Sequence, residues 1–448
     1  PRVGVSPCVF EPPLNMMWSS ESNYMTRWSG PVVSEGMLFS TSLDGFIRAR
    51  DPYTGDVLWS RCLGDVDYYT GIPTVENGMV YVIFYGYFGG SFYALDEYTG
   101  ETVWSLGPES GFDFNARIAL ASGDGLVFGL AWGGEILALD AFDGSLLWSY
   151  QTKDRPQIGA TISQGMLFVG THNGRMLALD EFSGSVMWDK QLDGIVTSPP
   201  LFAQNNVYVG TYGGTMWALD AATGNTVWST YGVGTIDYST PSYDGVNIYF
   251  GSYDNAAYYC LNATDGSIVW MSSVGDSIGS SIAYANGYVY GTCWDGILRV
   301  LDAFSGAVLY SYPLISSPST SMPAISDGWV YVEDDDGHIM GFFGQMPVGL
   351  RVLPPMQTKD VVPGTTVDFF VNVTNLGESG PDTFDATVTL GALGWTTELY
   401  ESDGTTPLQD WDLDGVPDTG SLPTGSAATI IVRVTVSPTA IAEDEETA

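Results

Sequence analysis

The chain has 448 residues, 52 of them Asp or Glu against 14 Lys or Arg, for a net charge of −38. So acidic a chain repels polyanions, which argues against nucleic acid and anionic membrane surfaces as partners. It has no run of about 18 apolar residues, the length a helical membrane span needs, and the length supports a large core. Abundant Gly, Ser, Thr and Tyr with modest total charge is the composition of a secreted or surface-exposed β protein, so an extracellular or cell-surface location is expected. The start at Pro1, without initiator Met or signal peptide, fits a processed N-terminus.

In chain order, residues 1–13 read as an N-terminal arm. Met16-Met-Trp-Ser19 follows and matches Leu58-Trp-Ser60, one repeat later. From there to about residue 310 an eleven-residue stretch recurs, typified by Ala94-Leu-Asp-Glu-Tyr-Thr-Gly-Glu-Thr-Val-Trp104. Aligned on its turn glycine, the copies fall at Gly55, Gly100, Gly144, Gly184, Gly224, Gly266 and Gly306, spaced by 45, 44, 40, 40, 42 and 40 residues. Alternating apolar residues, a glycine turn and a second apolar run make a β-hairpin. Upstream of each lies another strand, such as Met166–Gly170, and before it a shorter one, such as Gly159–Ile162. Four short strands in ~40 residues is the size of a propeller blade.

The repeated positions read first as structure. The glycine supplies a positive φ, and the aspartate bonds amides of its own turn. The tryptophan brings a large apolar area and an N–H that needs a partner, which suits a seam between neighbouring sheets. A regular row of Trp also suits carbohydrate stacking, but its presence in every repeat favours packing. The series is Trp18, Trp59, Trp104, Trp148, Trp188, Trp228, Trp270 and, by substitution, Tyr310. An eighth unit starts at Pro323-Ala-Ile, runs through Trp329–Val332 and His338–Phe343, and lacks its last strand. The segment around Trp18 supplies that strand, so an eight-bladed ring closed by the N-terminal strand is expected, free of exposed ends.

The pattern Ala, x, Asp, x, x, Thr or Ser, Gly, three residues, Trp resembles the tryptophan-docking motif of the pyrroloquinoline-quinone (PQQ) type propeller repeats, over residues 14–343. The resemblance implies the fold and leaves function open, because it embraces quinone-dependent alcohol dehydrogenases, the propeller subunit of the barrel-assembly machinery and surface proteins. By that resemblance, the dehydrogenases carry long insertions, a vicinal cysteine pair and a carboxylate and amide set on calcium. Blades of 40–45 residues and the absence of adjacent cysteines depart from this, and no PQQ is expected. His172 and His338, the only histidines, sit at blade turns and supply little acid–base chemistry. A non-enzyme is expected.

Four cysteines, Cys8, Cys62, Cys260 and Cys293, allow three pairings. Cys8 and Cys62 flank the closing strand and the first blade, and Cys260 and Cys293 fall in adjacent blades. Two disulfides are expected, with the connectivity open. Asn262-Ala-Thr and Asn372-Val-Thr are glycosylation sequons usable outside the cytoplasm. Glu333-Asp-Asp-Asp336 reads as an ordinary acidic blade turn.

Gly344–Pro347 reads as a linker, and 348–448 as a β-sandwich with strands at 348–353, 366–374, 383–390, 395–401 and 427–436. Val367, Phe369, Val371 and Val373 alternate inward. Val362-Pro-Gly364, Val371–Asn375 and Gly394-Trp395 resemble immunoglobulin-like domains of archaeal and bacterial surface proteins. Asp410, Asp412, Asp414 and Asp418 with Gly415 place carboxylates at positions 1, 3, 5 and 9 around a bend, with the Val416 carbonyl at position 7, a set suited to Ca²⁺. The run resembles calcium loops of thrombospondin type 3 repeats and departs from an EF-hand at Ser421.

The fold class is thus all-β: an eight-bladed propeller at 14–343 followed by an immunoglobulin-like sandwich. The expected role is a non-catalytic extracellular structural or adhesive protein. The sandwich lacks a strand, and the 1–13 arm is a candidate donor that would build a homo-oligomer or polymer; the arm lying on its own propeller, or a chain continuing past residue 448, are the alternatives. A protein-binding propeller like the barrel-assembly subunit is the second reading and a quinone-dependent dehydrogenase the third. Partner protein or glycan contacts are expected from rim aromatics, with Tyr68, Tyr69, Tyr85, Tyr87 and Trp132 as candidates.

Overall fold

The computed structural model describes residues 11–21, 30–64, 69–86, 89–114, 120–316, 321–345, 350–353, 364–375, 386, 396–411, 416–423 and 426–437. Contacts divide the chain into two units, Pro1–Phe343 and Gly344–Ala448. The first is all-β, with eight antiparallel sheets as propeller blades.

Blade 4 shows the plan. Its strands Pro156–Ser163, Met166–Thr171, Arg175–Asp180 and Val186–Gln191 pair in chain order. The second and third are almost wholly buried, while the fourth alternates between solvent and the seam. Seven blades follow the chain in this way, and blade 2 adds a short strand, Tyr69–Thr70, on its second strand. Blade 8 combines Ala324–Ser326, Trp329–Glu333 and His338–Gln345 with the N-terminal strand Glu11–Glu21. The expected closure is present, with two shifts of boundary. Glu11–Pro13 belong to the closing strand, not to the arm, and Gly344 and Gln345 extend the last propeller strand. The first strand of blade 1, Val32–Ser34, touches those of blades 2 and 8, which completes the ring.

A bulge sits between the third and fourth strands of blades 1 to 7. The extra residue precedes the docking aromatic, and the local twist it adds re-aims the next side chain. Each indole then leaves its own sheet and lands on the following blade. The Trp59, Trp104, Trp148, Trp188, Trp228 and Trp270 N–H groups donate to the carbonyls of Glu97, Ala141, Glu181, Ala221, Ala263 and Ala303 at 2.7–3.1 Å. Trp18 does the same across the closing seam, to Pro52 at 2.9 Å. The turn glycine is the floor beneath each ring. A Cβ at Gly184 would lie 2.6 Å from the Trp148 ring, and the glycine's φ is +68°, so the position is closed to larger residues twice over.

A second aromatic, on the second strand, braces each indole. Phe39, Tyr81, Phe128, Phe168, Tyr208, Tyr249 and Tyr331 have ring centroids 5.8–6.2 Å from the tryptophan of their blade. Tyr81 and Tyr208 also donate their hydroxyls to the Ala141 and Ala263 carbonyls that the indoles use. One carbonyl, with two lone pairs, accepts from both.

Tyr310 departs from the series because blade 8 carries Phe343 at the turn-aspartate position, 41 residues after Asp302. The chain runs on there instead of turning. Opposite Tyr310 stands Val300, where the other pairs have Ala or Cys. Tyr310, Tyr312 and Leu14 fill this seam with Leu298, Val300, Met340 and Phe342, and the Leu14 N–H donates to the Tyr312 hydroxyl at 2.5 Å.

Glu333–Asp336 is more buried than an ordinary turn. Glu333, Asp334 and Asp335 are 2%, 1% and 6% exposed. Asp334 accepts from the Ser316 N–H at 2.9 Å and from His338 through both its backbone and its Nδ1. Arg50, also buried, faces Glu333 and donates to Ser20 Oγ of the closing strand at 2.7 Å.

In the second unit one sheet has the order Leu350–Leu353, Thr366–Asn375, Ala427–Thr435, Thr396–Tyr400. Its apolar centre is Val373, Ile430, Ile431, Val432 and Val434. Arg433 clamps Asp368 with two bonds of 2.7 Å and lies 4.4 Å over the Tyr400 ring. The expected strand 383–390 lies outside the described residues except for Ala386, so the unit is established as a small antiparallel sheet.

Candidate functional site

The two ends of a blade carry different chemistry. At one end the hairpin turns dock the tryptophans: in blade 4, Asp180 Oδ1 accepts the N–H groups of Phe182 and Ser183 and the Ser183 hydroxyl. These bonds hold its carboxyl below the usual range. Asn262 takes the aspartate's place in blade 6, its Oδ1 accepting from the Thr264 N–H at 2.8 Å. The side chain of that sequon is therefore engaged in the turn. Asn372, in the second unit, is exposed and accepts from the Thr429 hydroxyl.

At the opposite end, the turns between second and third strands meet the linkers that enter each blade. One backbone bond recurs there. The N–H groups of Trp132, His172, Tyr212, Tyr253 and Trp294 donate to Asp113, Arg155, Ile195, Thr235 and Ser277 of the incoming linkers at 2.8–3.1 Å. Five successive blades, 3 to 7, thus present a ring at one turn position and form an arc along this rim. Trp132, with Tyr85 at 6.3 Å, was among the expected rim candidates. Tyr68 and Tyr87 lie outside the described residues, and Tyr69 is described in backbone only. Sequence reasoning missed His172, Tyr212, Tyr253 and Trp294 as a set. Their common offset from the turn was the available signal.

The arc changes charge along its length. In blades 3 and 4 the Arg155 guanidinium lies 5.2 Å over Trp132 and 3.2 Å from His172 Nδ1. Beyond them the side chains are acidic. Asp193 accepts from the Thr211 hydroxyl and the Trp217 indole, Asp254 from the Thr235 hydroxyl, and Asp295 pairs with Arg299.

Across blades 6 and 7 the arc opens into a cleft of about 220 Å³ lined by Asp237, Tyr238, Tyr253, Gly279 and Trp294. The Tyr253 and Trp294 rings stand at 87° with centroids 5.9 Å apart. Gly279 leaves bare backbone under the Trp294 Nε1, 3.1 Å from where a Cβ would be. Tyr238 holds a left-handed backbone, φ +58°, which costs a non-glycine residue about 1–3 kcal/mol. Its N–H donates to Thr197 and its carbonyl accepts from Ser281, which fixes the bend. Burial and the nearby Asp254 push the Asp237 carboxyl up to about 6.

The opposite rim also carries exposed aromatics, Tyr98, Phe142, Phe182 and Phe304. They also share one turn position, two residues after the turn aspartate, in blades 2, 3, 4 and 7, so they are not continuous around the rim.

The two expected disulfides are not formed by these cysteines: Cys260 and Cys293 are free, buried thiols, and Cys62 is free and exposed. Cys260 faces Trp270 across its hairpin, in the place blades 1 to 5 give to Ala, while the Cys293 thiol donates to Asp295 at 2.6 Å. Cys8 lies outside the described residues. So do Asp412 and Asp414 of the expected calcium loop. Asp418 is wholly buried, accepting from the Trp411 and Gly420 N–H groups at 2.6 and 2.5 Å.

Comparison with known proteins gives a family. Its description, outer membrane protein assembly factor BamB, attaches to matches at residues 15–164, 154–258 and 254–344. Among curated relatives, the dehydrogenase subunit of alcohol dehydrogenase (quinone) from Gluconacetobacter polyoxogenes is 34% identical over 82 residues, 17% of this chain and 11% of that protein. The BamB of Yersinia pestis is 30% identical over 99 residues, 21% of this chain and 25% of that one. The chain thus aligns with a quarter or less of either relative. The crystal structure of BamB from Moraxella catarrhalis superposes with a TM-score of 0.63 at 16% identity, covering 74% of this chain and 99% of that one, a likeness of fold. With its repeats matched from residue 15 to 344, the chain belongs to the PQQ-type propeller family described as outer membrane protein assembly factor BamB.

Proposed function

We propose that this protein is a non-catalytic scaffold of the cell exterior that docks partner proteins on the rim bearing the aromatic arc. The observation that carries the reading is the arc: five neighbouring blades place Trp, His, Tyr, Tyr and Trp at one turn position, held by the same backbone bond. Aromatic side chains on a rigid frame lose little entropy on binding and are enriched in interface cores. Kinship with a family described as an assembly factor supports protein docking, and the charge of −38 supports an exterior location.

Polymerisation by strand donation is the second reading. It now rests on residues 1–10, since Glu11–Pro13 already serve the closing strand. The quinone-dehydrogenase reading ranks third, because His338 is bound to Asp334, His172 lies beside Arg155, and no two cysteines are adjacent. Calcium in the second unit stays a proposal, with Asp410, Asp412, Asp414, Asp418 and the Val416 carbonyl as its ligands.

The test is site-specific photo-crosslinking in the native envelope. Tyr212 and Phe304 are 55% and 92% exposed on opposite rims, so access alone favours Phe304. A crosslinker at Tyr212 is expected to give a discrete adduct that Trp294→Ala weakens. Adducts from Phe304 alone, or from neither, would overturn the reading.

A further inference from the structure

The cleft between Tyr253 and Trp294 has the chemistry of a cation site. The Tyr253 and Trp294 rings meet edge to face, which leaves the faces of the edge-on ring uncovered by its partner, and a cation within about 6 Å of a ring centroid is attracted to such a face. Asp237 lies at the same cleft, and no hydrogen bond or ion pair of its carboxylate occurs among the described residues. The charged group acting on it is another acid, Asp254, and among the described residues the cleft lining holds no Lys or Arg. A half-withdrawn carboxylate without a counter-charge is the group a bound cation would compensate. The volume, about 220 Å³, is below the roughly 300–1,000 Å³ of sites for drug-sized ligands, and suits a single head group. The strained Tyr238 and the bare Gly279 backbone keep that space open.

We propose that this cleft binds the head group of an organic cation, an alkylammonium or guanidinium of the kind borne by a Lys or Arg side chain. Assigning that side chain to a partner protein rests on the docking reading above. The rise of the Asp237 carboxyl to about 6 agrees with the geometry. A bound cation favours the ionised form, so affinity is full above that pH and falls as pH drops through it. The other titratable groups at the cleft are Asp254, whose charge adds to the attraction, and the lining residues Tyr238 and Tyr253.

The test is isothermal titration of the full chain at pH 7.5 with tetramethylammonium, Nα-acetyl-lysine methylamide and Nα-acetyl-arginine methylamide, against sodium chloride as blank. Saturable one-to-one binding is expected for at least one of them, weakened about tenfold by Asp237→Asn or by Trp294→Leu, the scale of one lost charge or ring contact. Asp143→Asn removes the same charge from an exposed turn on the opposite rim and is expected to leave binding unchanged. Circular-dichroism melts confirm that each variant is folded. No saturable heat with any probe, or equal weakening by Asp143→Asn and Asp237→Asn, would overturn the proposal. A Lys- or Arg-containing peptide that binds more tightly than its single residue identifies a protein source; tetramethylammonium as the tightest ligand identifies a small free cation. Cation binding without a Tyr212 adduct keeps the site and removes the docking reading, while an adduct without cation binding does the reverse.

Discussion

At the docking end of blades 1 to 7 the turn keeps Asp or Asn, then Gly four residues on, while at the other end the matching turn position reads Trp132, His172, Tyr212, Tyr253 and Trp294 in blades 3 to 7. The same strands join both ends, so the difference cannot come from the blade itself. It comes from what each end meets. The docking turn must accept an indole from the preceding blade, which fixes its glycine and its carbonyl. The opposite turn owes its neighbours only a backbone N–H, which leaves its side chain available. Repetition marks the structural rim, and variation marks the rim where chemistry can differ from blade to blade.

The largest effect separates the two demands on glycine. Gly184 has a positive φ and the Trp148 ring over it; Gly165 has φ +76° and nothing within 4 Å of its would-be Cβ. Gly184→Ala is expected to cost about 3 kcal/mol in chemical denaturation, and Gly165→Ala about 1 kcal/mol, since only the first adds overpacking to backbone strain. Equal losses would break the comparison. Next comes Trp188→Phe, which removes the donor to Ala221 and part of the ring; about 2 kcal/mol is expected. Tyr310→Trp, at the seam without a docking turn, is expected to give no gain.

A smaller effect is set by pH. Blade 4 carries Glu181 where blades 3, 5, 6 and 7 have Ala, and it is 1% exposed. Burial and the carboxyl of Asp124 push Glu181 up to about 7. The folded state therefore holds its proton between about pH 4.5 and 7 while the unfolded state releases it, so stability declines as pH rises through that window. Glu181→Ala is expected to raise stability at pH 8 by about 1 kcal/mol and to do so less at pH 4. The smallest effect on the propeller comes from chelation. EGTA is expected to lower the melting transition of the second unit by a few degrees if the aspartate loop holds calcium, and to leave the propeller transition in place.

Much of the fold was legible because its signals are periodic. Seven glycines and the tryptophans spaced with them marked the blades, and Trp18 marked the closing strand. The acceptor carbonyls were hidden, since a backbone group has no sequence letter. So was the brace by Phe39, Tyr81 and their counterparts, because an aromatic in a buried strand looks like any core residue. The cleft was less legible still. Asp237 and Tyr238 lie in a linker, Tyr253 and Trp294 in turns of two blades, and only the ring geometry brings them within one volume. Burial of Glu333 and Asp334 was likewise invisible, because a run of acids reads as solvated until its partners, Arg50 and His338, are placed.

The closing strand has a mechanical consequence. Glu11–Glu21 and His338–Gln345 are antiparallel neighbours in one sheet, with Trp18 over Gly341, so Glu11 and Gln345 leave blade 8 at the same end. Tension applied between those two points would pass through this single strand pair and peel it one hydrogen bond at a time. Blades 2 to 7 would stay out of the load path, leaving the Arg50–Ser20 and Trp18–Pro52 contacts with blade 1 as the clasp that sets how much pull the ring withstands.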